Sequence, residues 1–509
     1  MNACLLARTA GAVVVLLVLL PQPCRADKTV EAKMLGSHAG GVASLHYSPD
    51  GKWLATAGGD KVVRLWDAAS GRLVREYKGP TSFACAVRFS PDGKCLAAAG
   101  YETTTGNPIY LLDTASGKEL ARLPGHPTGG VRRLAFTPDG KRLLSGGFDG
   151  TVRLWDLAKR AEVGHIRVEA GTIYCLSISS DGRLLSTAGR EGTRLWDLTT
   201  LKEMSRPAIN KHSSVTVAFS PDDKLLASGD SNSVKLWEVA TGKEVQHLTG
   251  FQGELSQMVF TRDGRLLLTA SYDRTVRLWE VPTGRLIWQG EKHTGWIWGI
   301  ALHPNQRHLA SCSVDTRILL WDLAELAKSN TPGMRLTHEQ AKSYLQALAS
   351  GDASQAYKAV CALASDPQSS VPLLREQLSR QRSAGPSASR IHQLIADLDS
   401  DSFAVRENAS AELARLGSHA LQALQQAAAN PASPEVRKRV NRLLAQLDPT
   451  ELLPETLLNL RSVQVLEYVG DPEARQLLQQ LARGEQGSQL ADEAGKAVQR
   501  LTQQRATPR

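Results

Sequence analysis

The sequence predicts an all-β ring of seven repeated four-stranded units followed by an all-α domain. Three observations carry this. A Leu-Trp-Asp or Leu-Trp-Glu tripeptide recurs six times between residues 65 and 322. A turn of the Ser-Pro-Asp-Gly type recurs at a nearly fixed place inside each unit. Past residue 338 Trp is absent, Gly falls, and apolar residues switch to helical spacing.

The chain has 509 residues, enough for two or three domains, and carries a formal net charge of +9. No run of five or six Lys/Arg occurs, so the charge is spread over a solvated surface and no nucleic-acid partner is expected. The first 26 residues read as an export signal. Arg8 supplies positive charge, Ala10–Leu20 has no polar side chain, and Cys24-Arg25-Ala26 ends in a small residue suited to cleavage. The apolar run is about half the ~20 residues that a spanning helix needs, so a membrane is involved only if the segment stays uncleaved. The expected location is exported, periplasmic or extracellular.

Repeats dominate residues 27–326. The tripeptides are Leu65-Trp66-Asp67, Leu154-Trp155-Asp156, Leu195-Trp196-Asp197, Leu236-Trp237-Glu238, Leu278-Trp279-Glu280 and Leu320-Trp321-Asp322. Leu111-Leu112-Asp113 fills the remaining gap. From Trp66 onward the steps are 46, 43, 41, 41, 42 and 42 residues, the period of one four-stranded propeller blade. Inside the units lie Ser48-Pro49-Asp50-Gly51, Ser90-Pro91-Asp92-Gly93 and Thr137-Pro138-Asp139-Gly140, with weaker copies at residues 179, 220, 261 and 303. Pro presets φ, Asp accepts local backbone bonds and Gly allows positive φ, so each is a turn between short strands.

Seven in-register copies resemble the WD-repeat β-propeller family over residues 30 to 325. The resemblance implies a seven-bladed all-β propeller in which each repeat supplies the outer strand of one blade and the inner three of the next. Residues 28–35 are then expected to pair with the strand ending at Trp321 and close the ring, which removes exposed strand edges. It also implies buried tetrads: Trp66, Thr56, His38 and Asp60; Trp155, Ser145, His126 and Asp149; Trp321, Ser311, His293 and Asp315. The sixth repeat has Phe251 where His is expected. A His–Ser–Asp trio invites a catalytic reading, but one that recurs at the same internal position reads as structure.

Residues 327–337 read as a linker, with Lys328 to Gly333 rich in breakers. Residues 338–509 read as nine or ten helices. Val405, Ala409, Leu413 and Leu416 form one stripe, and Gly417 stops that helix. Ser433 and Pro434 start another, and Asp471 and Pro472 a third. The segments 402–417 and 471–484 resemble HEAT-type repeats, so a HEAT-like stack is expected, with 381–389 as an internal loop.

Candidate chemistry is sparse. No phosphate loop, no metal-ligand spacing, no Cys-x-x-Cys and no nucleophile elbow occurs, so no catalytic residue, metal or cofactor is expected. Cys85 and Cys95 flank one turn and are the one plausible disulfide pair, though out of register. In the resembled family, partners dock on rim residues flanking the tetrad. Mapped by register these are Phe83, Tyr101, Arg132, Phe148, Tyr174, Arg190, Glu254, Tyr272, Trp296 and Trp298. Seven of the ten are aromatic in a chain that is 5% aromatic. Aromatics with interspersed Arg are the composition of interface hot spots. The expected function is a non-enzymatic protein-binding scaffold using the propeller's top face and the helical domain, with no part for polar channel residues. The alternatives are an exported propeller enzyme with a channel-mouth site, or an envelope structural or polymer-binding protein.

Overall fold

Each Ser-Pro-Asp-Gly turn closes on itself before any long-range contact is needed. Ser48 Oγ donates to Asp50 at 2.6 Å and accepts the Trp53 amide at 2.9 Å, while Asp50 accepts the Lys52 amide at 3.0 Å. The same exchange recurs at Ser90, Thr137, Ser179, Ser220 and Thr261. Gly51 sits at φ +74°, and Asp223 and Gln306 hold the equivalent left-handed position without glycine.

These turns generate seven four-stranded antiparallel sheets in the computed structural model. It describes residues 30–506 apart from 79–82, 102–105, 169–170, 205–212, 328–334, 383–387, 430, 447–451 and 485–487. The export signal and most of the linker therefore lie outside the described residues. Blade 1 runs outward from the channel as Val42–Tyr47, Trp53–Gly58, Val62–Asp67 and Leu73–Lys78. Blades 2 to 6 repeat this, and blade 7 is Ile297–Leu302, His308–Ser313 and Arg317–Asp322 completed by Ala32–Ser37. Ala32 pairs with Trp321, as ring closure requires, in a strand set slightly downstream of the expected 28–35. The innermost strands of neighbouring blades touch all the way round. A separate apolar core fills each of the seven inter-blade spaces.

The three complete tetrads form. His38 lies 2.8 Å from both Thr56 and Asp60, and Trp66 donates to Thr56 at 2.9 Å. His126 joins Ser145 and Asp149 while Trp155 donates to Ser145. His293 joins Ser311 and Asp315 while Trp321 donates to Ser311. The His side chains are sealed from solvent. Burial holds His38 and His293 below their ordinary pKa against the pull of their Asp partners. In blade 6 Phe251 packs on Trp279 with ring centroids 5.3 Å apart. Arg277 lies over Phe251 at 4.7 Å and pairs with Asp273 at 2.9 Å, so a cation–π contact stands in for the missing His.

Ten helices follow between His338 and Ala506 among the described residues. Their starts follow local rules. Thr337 and Gln340 form a capping box, and Asp471 caps the helix Pro472–Ala482. The helical region has two cores. One joins the helices of residues 338–378 to those of 457–501, and the other is confined to 391–443. Two details differ from the sequence reading. Helices run to Arg382 and resume at Ala388, so both ends of the expected 381–389 loop are helical. Ala409 and Leu413 are buried, but Val405 is 39% exposed.

The first helical core seats on blades 4 to 6. Arg461 reaches both carboxylate oxygens of Glu238 at 2.7 and 2.8 Å and donates to the carbonyls of Leu348 and Ser350. Lys224 pairs with Glu493, and Lys496 with Asp181. Ala353 and Tyr357 enter the core between blades 5 and 6. Glu238 ends a third strand, and Asp181 and Lys224 stand in first turns. In an antiparallel blade those points share one face, so the helices sit on that face, and among the described residues the opposite face is open.

Candidate functional site

The open face carries the tetrad loops and a ring of aromatic side chains around the channel mouth. A bulge sets the inward direction at five of the seven innermost strands. The register shifts across Ala43, Cys85, Arg132, Ser256 and Trp298. A bulged residue is unpaired and turned relative to the ladder. All five line one cavity of about 310 Å³, together with Phe83, Tyr101, Arg133, Phe148, Val215, Leu255 and Tyr272.

The rings pack in pairs. Phe83 meets Trp298 edge-on with centroids 5.7 Å apart, and Tyr101 meets Phe148 at 5.3 Å and 81°. Tyr272 stacks on Trp296 at 5.2 Å and 15°. Arg132 connects the groups, lying 5.5 Å from the Phe148 ring centre and 4.9 Å from that of Tyr174. Arg190 donates to the Tyr174 hydroxyl at 3.3 Å. Burial raises the Tyr272 hydroxyl pKa against the opposing charge of Arg132, so it stays a neutral phenol. Burial likewise pushes the Cys85 thiol up to about 11, which keeps it protonated and poorly nucleophilic.

Of the residues expected at the rim, Phe83, Tyr101, Arg132, Phe148, Tyr272 and Trp298 line the cavity. Tyr174, Arg190 and Trp296 extend it as a collar through the contacts above. Trp296 is 55% exposed and is the most prominent apolar side chain there. Glu254 lies outside the cavity lining, and its carbonyl accepts the Tyr272 amide at 2.8 Å. The sequence reading missed Ala43, Cys85, Arg133, Val215, Leu255 and Ser256. Repeat register finds two of them, Ala43 and Ser256, which like Arg132 and Trp298 stand 23 residues ahead of their blade's Trp66, Trp279, Trp155 and Trp321; Cys85 stands 27 ahead of Leu112 and escapes that count. Cys85 and Cys95 are both free thiols. The tetrads lie buried behind the collar and contribute none of the cavity lining.

Comparison with known proteins agrees with this architecture. The family model for the WD domain, G-beta repeat, matches residues 30–67, 71–105, 117–156, 160–197, 205–238, 242–280 and 284–322. One relative is a Notchless protein homolog of Arabidopsis thaliana, 45% identical over 47 residues, or 9% of this chain and 10% of that protein. Another is autophagy-related protein 16 of Arabidopsis thaliana, 25% identical over 128 residues, or 25% of this chain and 24% of that protein. The chain thus spans a quarter or less of the relatives it matches. The seven matched segments cover just over half of the chain, which belongs to the WD40 repeat family.

Proposed function

We propose that this protein is a non-enzymatic scaffold that holds a protein partner on the collar of its open propeller face. The observation that carries the reading is the stack of Tyr272 on the half-exposed Trp296, joined through the cavity wall to Trp298, Phe83 and Arg132. Large rings preset by packing lose little side-chain freedom on binding, and aromatic and Arg side chains dominate interface energetics. The helical domain, fixed to the other face, offers the second docking surface. The expected action is simultaneous docking on two rigid surfaces. We place this activity outside the cytoplasm, because the apolar run Ala10–Leu20 followed by Cys24-Arg25-Ala26 reads as an export signal.

The test is capture from envelope and culture-medium fractions with the wild-type chain and a Tyr272→Ala, Trp296→Ala, Trp298→Ala triple variant. A protein retained by the first and lost by the second supports the reading. Identical capture by both, or none by either, removes it.

A further inference from the structure

The scaffold reading gives the channel interior no part, yet its lining is chemically lopsided. The seven innermost strands are Val42–Tyr47, Phe83–Phe89, Val131–Phe136, Cys175–Ile178, Thr216–Phe219, Leu255–Phe260 and Ile297–Leu302. They contain no Asp and no Glu, but they contain Arg88, Arg132 and Arg133. Arg132 and Arg133 line the upper cavity, and Arg133 and Arg88 line the cavity of about 380 Å³ below it. Among the described residues none of the three has a carboxylate within 4 Å. On the third strands, by contrast, the largely buried Arg64 pairs with Asp60 and Arg277 with Asp273.

The three guanidiniums act on one another. Burial and the charge of Arg133 hold Arg88 down to about 10. Burial and the same Arg133 also lower Arg132, against the pull of Tyr272, Tyr174 and Cys85. Like charges gathered in a low-dielectric channel are costly unless an anion joins them. The polar atoms of the wall are also incomplete. Ser256 is 7% exposed and lines the upper cavity, and its Oγ has no hydrogen-bond partner. Arg132 Nε is buried in the same wall and likewise has none. Glu254 stands at the rim beside Tyr272 but outside the cavity lining.

We propose that the upper channel is an anion site. It takes a carboxylate or phosphate group on Arg132, Arg133 and Ser256, carried on a small aromatic or apolar body held by Phe83, Tyr272 and Trp298. Arginine forks suit both oxyanions, and the rings above exclude water from the pair. The oxyanion is either a free small molecule or an acidic end of the protein held at the collar.

The experiment titrates the full chain calorimetrically, and in thermal melts, with phenyl phosphate, inorganic phosphate and neutral benzyl alcohol. The expected result is salt-sensitive binding of phenyl phosphate, weaker competing binding of phosphate, and none of benzyl alcohol. Arg133→Met should weaken phenyl phosphate at least tenfold without lowering the unliganded melting temperature. Arg132→Gln gives the same reading if Arg133→Met does not fold. Displacement of a captured protein by phenyl phosphate assigns the anion to that protein, and tight binding without displacement assigns it to a free small molecule; both uphold the site. Absence of phenyl phosphate binding, or an equal response in wild type and both variants, overturns it. The titration uses no protein partner, so its failure leaves the capture experiment unaffected.

Discussion

Glu238→Ala is the sharpest test of how the two domains are joined. Arg461 is 2% exposed, and its charge is met by both oxygens of Glu238 and by the carbonyls of Leu348 and Ser350. Removing Glu238 leaves a buried guanidinium with carbonyl partners alone. Breaking one side of a buried pair costs about 3–5 kcal/mol. The low end applies here, about 3 kcal/mol, because the two carbonyls remain and the Glu238 side chain is 12% exposed. The chain offers two independent probes. All ten Trp lie in the propeller, at or before Trp321, so fluorescence reports the blades and far-UV ellipticity reports mainly the helices. In urea, Glu238→Ala should lower the ellipticity transition by about 3 kcal/mol and the fluorescence transition by less. The double replacement Glu238→Leu, Arg461→Met should recover most of the loss, because an apolar pair of similar volume is often neutral or better. A Glu238→Ala chain within about 0.5 kcal/mol of wild type, the range of ordinary surface substitutions, would refute the anchor.

Two further perturbations follow from the same networks. Ser145→Ala strips the partner from both His126 Nε2 and Trp155 Nε1, whereas Thr269→Val strips it from Trp279 alone. At about 1–3 kcal/mol for each orphaned buried group, Ser145→Ala should cost roughly twice as much in chemical denaturation; equal costs would contradict the tetrad account. Asp223 and Glu493 should respond oppositely to pH. Burial raises Asp223 from 3.8 to about 6 despite two bonds from Ser180, so the folded chain binds its proton more tightly than the unfolded chain. Stability from this group is therefore lost as the pH rises from about 4 to 6, and Asp223→Asn should gain on wild type across that window. Glu493 is half-buried, yet Lys224 and Lys496 hold it down to about 2 from 4.5. Its contribution is present above pH 4.5 and fades as the pH falls toward 2. Melting temperatures against pH for wild type, Asp223→Asn and Glu493→Gln check both signs.

The ring was legible because its signals are local and repeated. One Trp-Asp pair means little, but seven units at one period leave few other folds, and the tetrads followed from the same register. The collar was legible in part. A large ring such as Trp298 stands out at its register position, whereas Ala43 and Ser256 occupy the same position and look ordinary. What turns them into the channel is a backbone bulge, which the side chain does not announce. Glu238 was hidden for another reason. In blade 1, Asp67 folds back to cap its own turn through Ser70. Glu238 at the same place in blade 5 keeps a bond to its own turn, accepting from Thr241 at 2.7 Å, and also meets Arg461, 223 residues away, which nothing in the repeat signals. Helical periodicity shows which face is apolar and not how far along that face a neighbour extends, so Val405 belongs to the stripe and remains exposed.

The central claim is that the collar binds a protein partner, and one substitution tests it most directly. Trp296→Ala removes the exposed member of the Tyr272 stack and leaves the blade core, built on Trp321 and Trp288, intact. The affinity of the captured partner for this variant should fall by 2 kcal/mol or more, roughly 30-fold, at an unchanged melting temperature. Unchanged affinity for a partner that the triple variant also retains would place the docking surface elsewhere.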